Sequence, residues 1–181
     1  MSGVSEFLVS IVSRLEQLDI SYMIAGSFAS SLYGEPRTTR DLDLVVRLAQ
    51  ADVEALLETF EHDEWYVDRA GVRRAVDSND MFNVIDNATG WKVDFILVKK
   101  RPFSEMEFSR RKRTQIYGCD VWVASAEDTV LSKLEWSVTG GSARQVEDAR
   151  AIVRRHDQLD LGYMRKWAVE IGVENLLADL I

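Results

Sequence analysis

Apolar residues follow two rhythms along this chain, and the elements can be read from where one gives way to the other. Leu8, Ile11, Leu15 and Leu18 recur at helical spacing, so residues 5–18 are expected to form an amphipathic helix with one buried stripe. Residues 21–25 then read as a short buried strand ending at Gly26-Ser27. Residues 28–33 make a short helix stopped at Gly34, with Pro36 as a further barrier. Residues 40–47, RDLDLVVR, form the next strand, and it carries Asp41 and Asp43. Val53, Leu56, Leu57 and Phe60 stand at i, i+3, i+4 and i+7, which predicts another helix with Asp52 as its cap.

Beyond Phe60 the pattern weakens. Residues 65–67 and 72–76 read as short strands inside a polar, charged stretch. Two β-rich runs, 81–86 and 91–98, flank Asn87-Ala88-Thr89-Gly90, a composition that predicts a hairpin. Residues 103–111 read as a helix, and 115–117 and 121–124 as strands around Gly118. At Ser125 the composition becomes helical. Ser125 is placed to cap a helix whose first turn carries Glu127 and Asp128, with Val130, Leu131, Leu134 and Val138 as its stripe. Gly140-Gly141 ends it, and Ser142 caps a second helix with Val146, Ala149, Ile152 and Val153 facing inward. Residues 163–171 and 174–180 complete a helical tail. The expected class is therefore α+β, a core at 1–125 followed by a small helical part at 126–181.

The chain has 181 residues, 46% of them hydrophobic and 29% charged, an ordinary globular balance. Its start is interrupted by acids and an arginine, unlike a signal peptide, and no apolar run approaches the ~20 residues that span a bilayer. A single cysteine, Cys119, cannot form an internal disulfide, which fits a cytoplasmic location. His62 and His156 are far apart and have no zinc-ligand spacing. The net charge of -8 does not attract nucleic acid. One local stretch differs: Lys99, Lys100, Arg101, Arg110, Arg111, Lys112 and Arg113 are broken by only two acids, Glu105 and Glu107. Such a run is either a solvated face or a patch that follows phosphates.

The candidate chemistry lies in residues 24–46, IAGSFASSLYGEPRTTRDLDLVV. On a strand, residues i and i+2 share a face, so Asp41 and Asp43 project side by side. Carboxylates that close repel each other unless a cation lies between them, and hard oxygen ligands suit magnesium. Gly26 allows backbone N–H groups to approach a phosphate, the Ser27 hydroxyl adds a donor, and the following helix points its positive end the same way. Exposed surface acids are the plainer reading. Asp94 is the single acid in WKVDFILV. Ionised burial there needs a partner or a cation, unless Asp94 faces outward from an edge.

Gly26-Ser27, a short helix, Arg37-Thr38-Thr39 and Asp41-x-Asp43 together resemble the signature of the nucleotidyltransferase superfamily, whose fold is polymerase-beta-like. The wording RTTRDLD is similar to its AbiEii-type, toxin-like branch. The resemblance implies a nucleotidyltransferase-type mixed β-sheet flanked by helices, with 1–125 as the nucleotidyltransferase core and 126–181 as a C-terminal helical subdomain. It implies NMP transfer from an NTP to a hydroxyl with release of pyrophosphate, using Mg2+, two ions in all. Asp41, Asp43 and Asp94 would be the catalytic metal ligands, Asp94 also accepting the proton of the attacking hydroxyl. Gly26 and Ser27 would hold the outer phosphates, with Arg37, Thr39 or Lys133 offsetting their charge. TVLSKLEW and VEDARAIV match the branch's helices, so Lys133 and Asp148 would belong to the nucleotide site. A surface lysine and an interhelical ion pair are the simpler reading of those two.

The acceptor implied is an RNA such as tRNA, a protein or a small molecule, the Lys99–Arg113 stretch favouring RNA. A toxin role with an antitoxin partner belongs to the same resemblance. Two other classes stay open at this level: a nucleotide- or RNA-binding module without turnover, and an interaction protein whose site is masked by a partner.

Overall fold

The computed structural model describes residues 3–36, 38–60 and 63–181. Arg37 and His62 lie outside the described residues, so the expectation placed on Arg37 has no structural counterpart.

Seven strands form one mixed sheet: β1 (Tyr22–Ile24), β2 (Asp41–Val46), β3 (Trp65–Val67), β4 (Met81–Asp86), β5 (Lys92–Leu97), β6 (Lys112–Ile116) and β7 (Cys119–Val123). Their order is β3-β4-β5-β2-β1-β7-β6. The central pair, β2 and β5, runs parallel, while β1 is antiparallel to β2 and parallel to β7. Period-2 alternation divides β2 and β5 cleanly. Leu42, Leu44, Val46, Val93, Phe95 and Leu97 point to one face and are buried. They pack there with Phe7, Leu8, Ile11, Val12 and Leu15 of α1 (Gly3–Gln17). Each such fully buried side chain is worth about 1.5–3 kcal/mol, and this is why the charged residues between them are forced onto the opposite face.

The second apolar cluster belongs to α6 (Ala126–Gly140), α7 (Ala143–Arg155), α8 (Leu161–Glu170) and α9 (Glu174–Ala178), with Val130, Leu131, Leu134, Ile152, Met164 and Trp167 at its centre. Phe103 of α5 (Pro102–Ser109) is part of it. Tyr33 of α2 (Gly26–Tyr33) packs against both clusters and donates its hydroxyl to the Ala124 carbonyl at 2.8 Å. The tail therefore presses on the sheet through α2 and α5, and its polar side chains reach the face of β2 that carries the acids.

The order of elements agrees with the hydrophobic pattern except at five places. Residues 72–76, expected as a strand, lie in α4 (Arg69–Ser78). The Asp68 carboxylate accepts from the Gly71 N–H at 3.0 Å and starts that helix, whose buried residues are Val72 and Ala75, three apart. Asp52 makes no side-chain cap. A 3-10 turn at Gln50–Asp52 puts it already in helical geometry before α3 (Val53–Glu58), so its carboxylate cannot fold back onto the first N–H groups. Ser142 also precedes α7 without a side-chain cap bond. Val138 is exposed, and Ser137 takes the inward position. Finally, the 103–111 helix stops at Ser109, where Arg111 Nη1 donates to the Phe108 carbonyl at 2.7 Å, and Lys112 already opens the edge strand β6.

Candidate active site

With Leu42, Leu44 and Val46 committed to the core, Asp41 and Asp43 share the other face of β2. The parallel register sets Asp41 beside Lys92 and Asp43 beside Asp94, with neighbouring strands about 4.8 Å apart. Three carboxylates and one ammonium thus occupy a single patch on the sheet. Asp41 is exposed, Asp43 half-buried and Asp94 7% exposed. Lys92 Nζ lies 2.8 Å from Asp94 Oδ2 and 3.5 Å from Asp41 Oδ1. The other oxygen of Asp94, Oδ1, is buried without a hydrogen-bond partner. Among the described residues, no three His, Cys, Asp or Glu side chains converge tightly enough to enclose a metal ion. The cation against Asp41 and Asp94 in this conformation is Lys92.

The start of α2 closes the patch from the other side. Gly26 has φ +56°, and a Cβ there would stand 1.9 Å from Asp43 Oδ2. No side chain fits. In return the Ser27 N–H donates to Asp43 Oδ2 at 3.3 Å, which directs the positive end of the helix at the carboxylate. Burial nonetheless pushes the Asp43 carboxyl above its usual range; the Ser27 N–H opposes this, Asp94 and Asp41 add to it, and Lys133 opposes it. The site is short of positive charge where Asp43 and Asp94 meet.

Lys133 reaches this patch from α6. It is 4% exposed, and its Nζ donates to Asp148 Oδ2 of α7 at 2.8 Å. The simpler reading of Lys133 as a surface lysine is wrong; that of an interhelical ion pair is right, and the pair stands beside the acids. Gly26, Ser27, Asp43, Lys133, Trp136 and Gln145 line one cavity of about 190 Å³. Thr39 does not face that cavity. Its hydroxyl accepts from the Asp41 N–H at 3.1 Å and braces the backbone where β2 begins.

The sequence alone assigns no role at the site to Lys92, which stands on the sheet face beside Asp41 and Asp94, or to two residues of the cavity wall, Glu107 and Arg101. Glu107 of α5 is buried, its Oε1 accepts from Ser132 Oγ at 2.6 Å, and burial pushes its carboxyl up to about 7 against that bond. Arg101 holds Glu135 through both terminal nitrogens, Nη2 to Oε2 at 2.6 Å, and the contact raises the guanidinium above its ordinary value. Spacing on a helix could have flagged Glu107, which lies between Phe103 and Phe108.

Three of the seven cations in the basic stretch at 99–113 are spent inside the fold. Besides Arg101, Arg110 pairs with Asp128 at 3.2 Å and Glu127 at 3.5 Å and lies 3.9 Å from the centre of the Tyr163 ring. Arg111 stacks on Phe108 and Trp122. Lys99, Lys100, Lys112 and Arg113 are exposed.

Among solved structures, the chain is similar to an antigenic nucleotidyltransferase-like protein from Paracoccidioides brasiliensis. The identity is 19% over 99% of this chain and 88% of that one, with a TM-score of 0.65. It is also similar to the antibiotic-resistance factor ANT(2'')-Ia in solution, at 14% identity over 97% and 89% of the two chains, TM-score 0.57. A crystal structure of ANT(2'')-Ia in complex with adenylyl-2''-tobramycin aligns at 14% identity over 99% and 97%, TM-score 0.56. The chain has the nucleotidyltransferase fold. No family model and no curated protein matches it. The mixed sheet of this nucleotidyltransferase fold is the α+β class expected from the sequence, and no helix among the described residues is long and apolar enough to cross a membrane.

Proposed function

We propose that the chain is a magnesium-dependent nucleotidyltransferase that moves an NMP from an NTP to a hydroxyl. The observation that carries this is the juxtaposition, on one sheet face, of Asp41, Asp43 and Asp94 with the Gly26–Ser27 helix start. The donor set fits a hard divalent cation: all its ligands are carboxylate oxygens, and Asp94 Oδ1 is buried with nothing bonded to it. Asp41, Asp43 and Asp94 would hold the ions, two in number. Bound there, they would supply charge to offset the phosphates and the developing oxyanions.

The chain's own groups account for the rest. The N–H groups at the head of α2 would hold an outer phosphate, the Ser27 N–H turning from Asp43 or being shared with it, and no side chain at Gly26 would obstruct the approach. Lys133, held in place by Asp148, adds positive charge at the same cavity. The acceptor hydroxyl attacks the α-phosphorus, its proton passes to Asp94, and the bond to the leaving pyrophosphate breaks. Position and fixed charge supply most of the acceleration. In this reading 1–125 is the catalytic core and 126–181 the helical subdomain that contributes Lys133 and Asp148.

One structural neighbour, solved in complex with adenylyl-2''-tobramycin, supports a small molecule as one acceptor class to test for this chain. The exposed Lys99, Lys100, Lys112 and Arg113 favour RNA, such as a tRNA end, and a protein side chain is the third class. An AbiEii-type toxin restrained by an antitoxin, acting in the cytoplasm, is the biological setting that the RTTRDLD motif favours. Incubation with each α-labelled NTP and Mg2+ in a cell extract tests the reading. Pyrophosphate release and label on one class of acceptor are expected, both lost in Asp43→Ala. NTP binding with no pyrophosphate from any acceptor overturns the enzyme reading in favour of a nucleotide-binding module.

A further inference from the structure

We propose that Lys92 is an internal counter-cation that a divalent metal must displace, so that Lys92 sets how readily the acidic face takes up metal. This rests on the metal-site reading of Asp41, Asp43 and Asp94. Lys92 opens β5 two residues before Asp94, and the strand period puts both on the same face. The parallel register then sets it directly beside Asp41. From there its Nζ contacts Asp94 Oδ2 at 2.8 Å and Asp41 Oδ1 at 3.5 Å. One ammonium thus bridges two of the three acids, from strands that the fold has placed side by side. Asp43 and the buried Asp94 Oδ1 remain without it.

Three carboxylates on adjacent strand positions repel, and Lys92 offsets one charge of the three. It is a weaker partner than a divalent ion, which brings two charges and directs its ligands inward. The side chain is also free to leave: it is 33% exposed, and Asp41 is 54% exposed. Lys133 is different, with a side chain 5% exposed and tied to Asp148 on another helix. The two lysines therefore have separate roles. Lys133 stays, and Lys92 swings out toward solvent.

The test is Mn2+ binding by calorimetry, without nucleotide, for wild type, Lys92→Met, Lys92→Arg and Asp94→Asn. Lys92→Met should bind Mn2+ roughly tenfold more tightly, the scale of one or two partly exposed ion pairs. Its melting temperature should be lower than wild type in chelator and should gain more on Mn2+ addition. Lys92→Arg keeps a competing cation and should bind like wild type. Acetylation of the peptide containing Lys92, read by mass spectrometry, should rise when Mn2+ is added to wild type. Equal or weaker Mn2+ affinity in Lys92→Met, with Asp94→Asn abolishing binding, overturns the role of Lys92 and leaves the metal site standing. Unchanged acetylation of Lys92 also overturns it. No Mn2+ binding in any of the four overturns both the metal-site reading and this proposal.

Discussion

Gly26→Ala is the most direct perturbation of the site, because the three atoms nearest the added methyl group all belong to Asp43. Its Cβ would stand 1.9 Å from Oδ2, 2.5 Å from Cγ and 2.8 Å from Cβ of that residue. The first two contacts can be relieved by rotating the carboxylate away. The third cannot, since the Asp43 Cβ is fixed to β2, so α2 or the strand must shift by roughly 0.6–1.2 Å to bring 2.8 Å out to an ordinary carbon–carbon contact of about 3.4–4 Å. An L-residue at φ +56° adds about 1–2 kcal/mol, and losing the Ser27 N–H bond adds about 1 kcal/mol. A total near 2–4 kcal/mol lowers the melting temperature of a chain this size by roughly 5–15 °C. Transfer should fall by about a hundredfold or more, since a displacement near 1 Å is enough for that. Thermal unfolding and pyrophosphate release measure the two effects. Combining Gly26→Ala with Asp43→Gly removes the clash and leaves the backbone cost, so the two substitutions should be non-additive by about 1–2 kcal/mol. A Gly26→Ala chain that melts within 2 °C of wild type and transfers at the wild-type rate refutes the close approach of α2 to Asp43 and the phosphate cradle built on it (~1 kcal/mol would have moved it further).

Glu107 gives a pH-dependent prediction. Its carboxyl rises from 4.5 to about 7 on folding, so between those values the folded chain holds a proton that the unfolded chain has released, and stability falls as pH rises through this window. At about 1.4 kcal/mol per pH unit the upper limit is about 3 kcal/mol. Glu107→Gln, whose amide oxygen can still accept from Ser132, should therefore gain over wild type at pH 8 and little at pH 5; an equal difference at both pH values contradicts the buried acid. For the basic stretch, neutralising the exposed Lys99, Lys100, Lys112 and Arg113 should flatten the salt dependence of RNA binding by ~0.7 in log–log slope per lost phosphate contact. A wild-type slope in that variant removes RNA as the acceptor.

Much of the fold is legible because apolar periodicity and punctuation agree. Leu8 to Leu18, the hairpin at 87–90 and the Ser125 cap are all where local pattern places them, and Ser125 Oγ accepts from the Asp128 N–H at 3.1 Å. Residues 72–76 are misread for a local reason. Val72 and Val76 favour a strand by composition, but the Asp68 cap and the helical spacing of Val72 and Ala75 override it. Residues 112–114 go unread for a tertiary reason, since this part of β6 exists through its pairing with β7 and no periodicity within it announces an edge strand.

The site divides along the same line. That Asp41 and Asp43 share a face follows from the strand period alone, and so does the pairing of Lys92 with Asp94 on theirs. That these two pairs meet does not follow. It depends on β5 lying parallel to β2 in one particular register, and a slip of one residue would have sent Asp94 into the apolar core. Charge is read poorly for the same reason, because a sequence gives the charge and withholds its partner. Arg110 looks like one of seven free cations, yet it is the counter-ion of Asp128, which is fully buried and also bonded to Ser125 and Tyr163. Lys133 looks like an exposed helix position, yet α7 closes over it with Asp148. Burying an unpaired charge is costly, so each buried acid or base had to be matched by a residue from a distant element. The electrostatics of this site are therefore fixed by how α5, α6 and α7 dock on the sheet, and a substitution at any of their paired charges should change the site without touching a catalytic group.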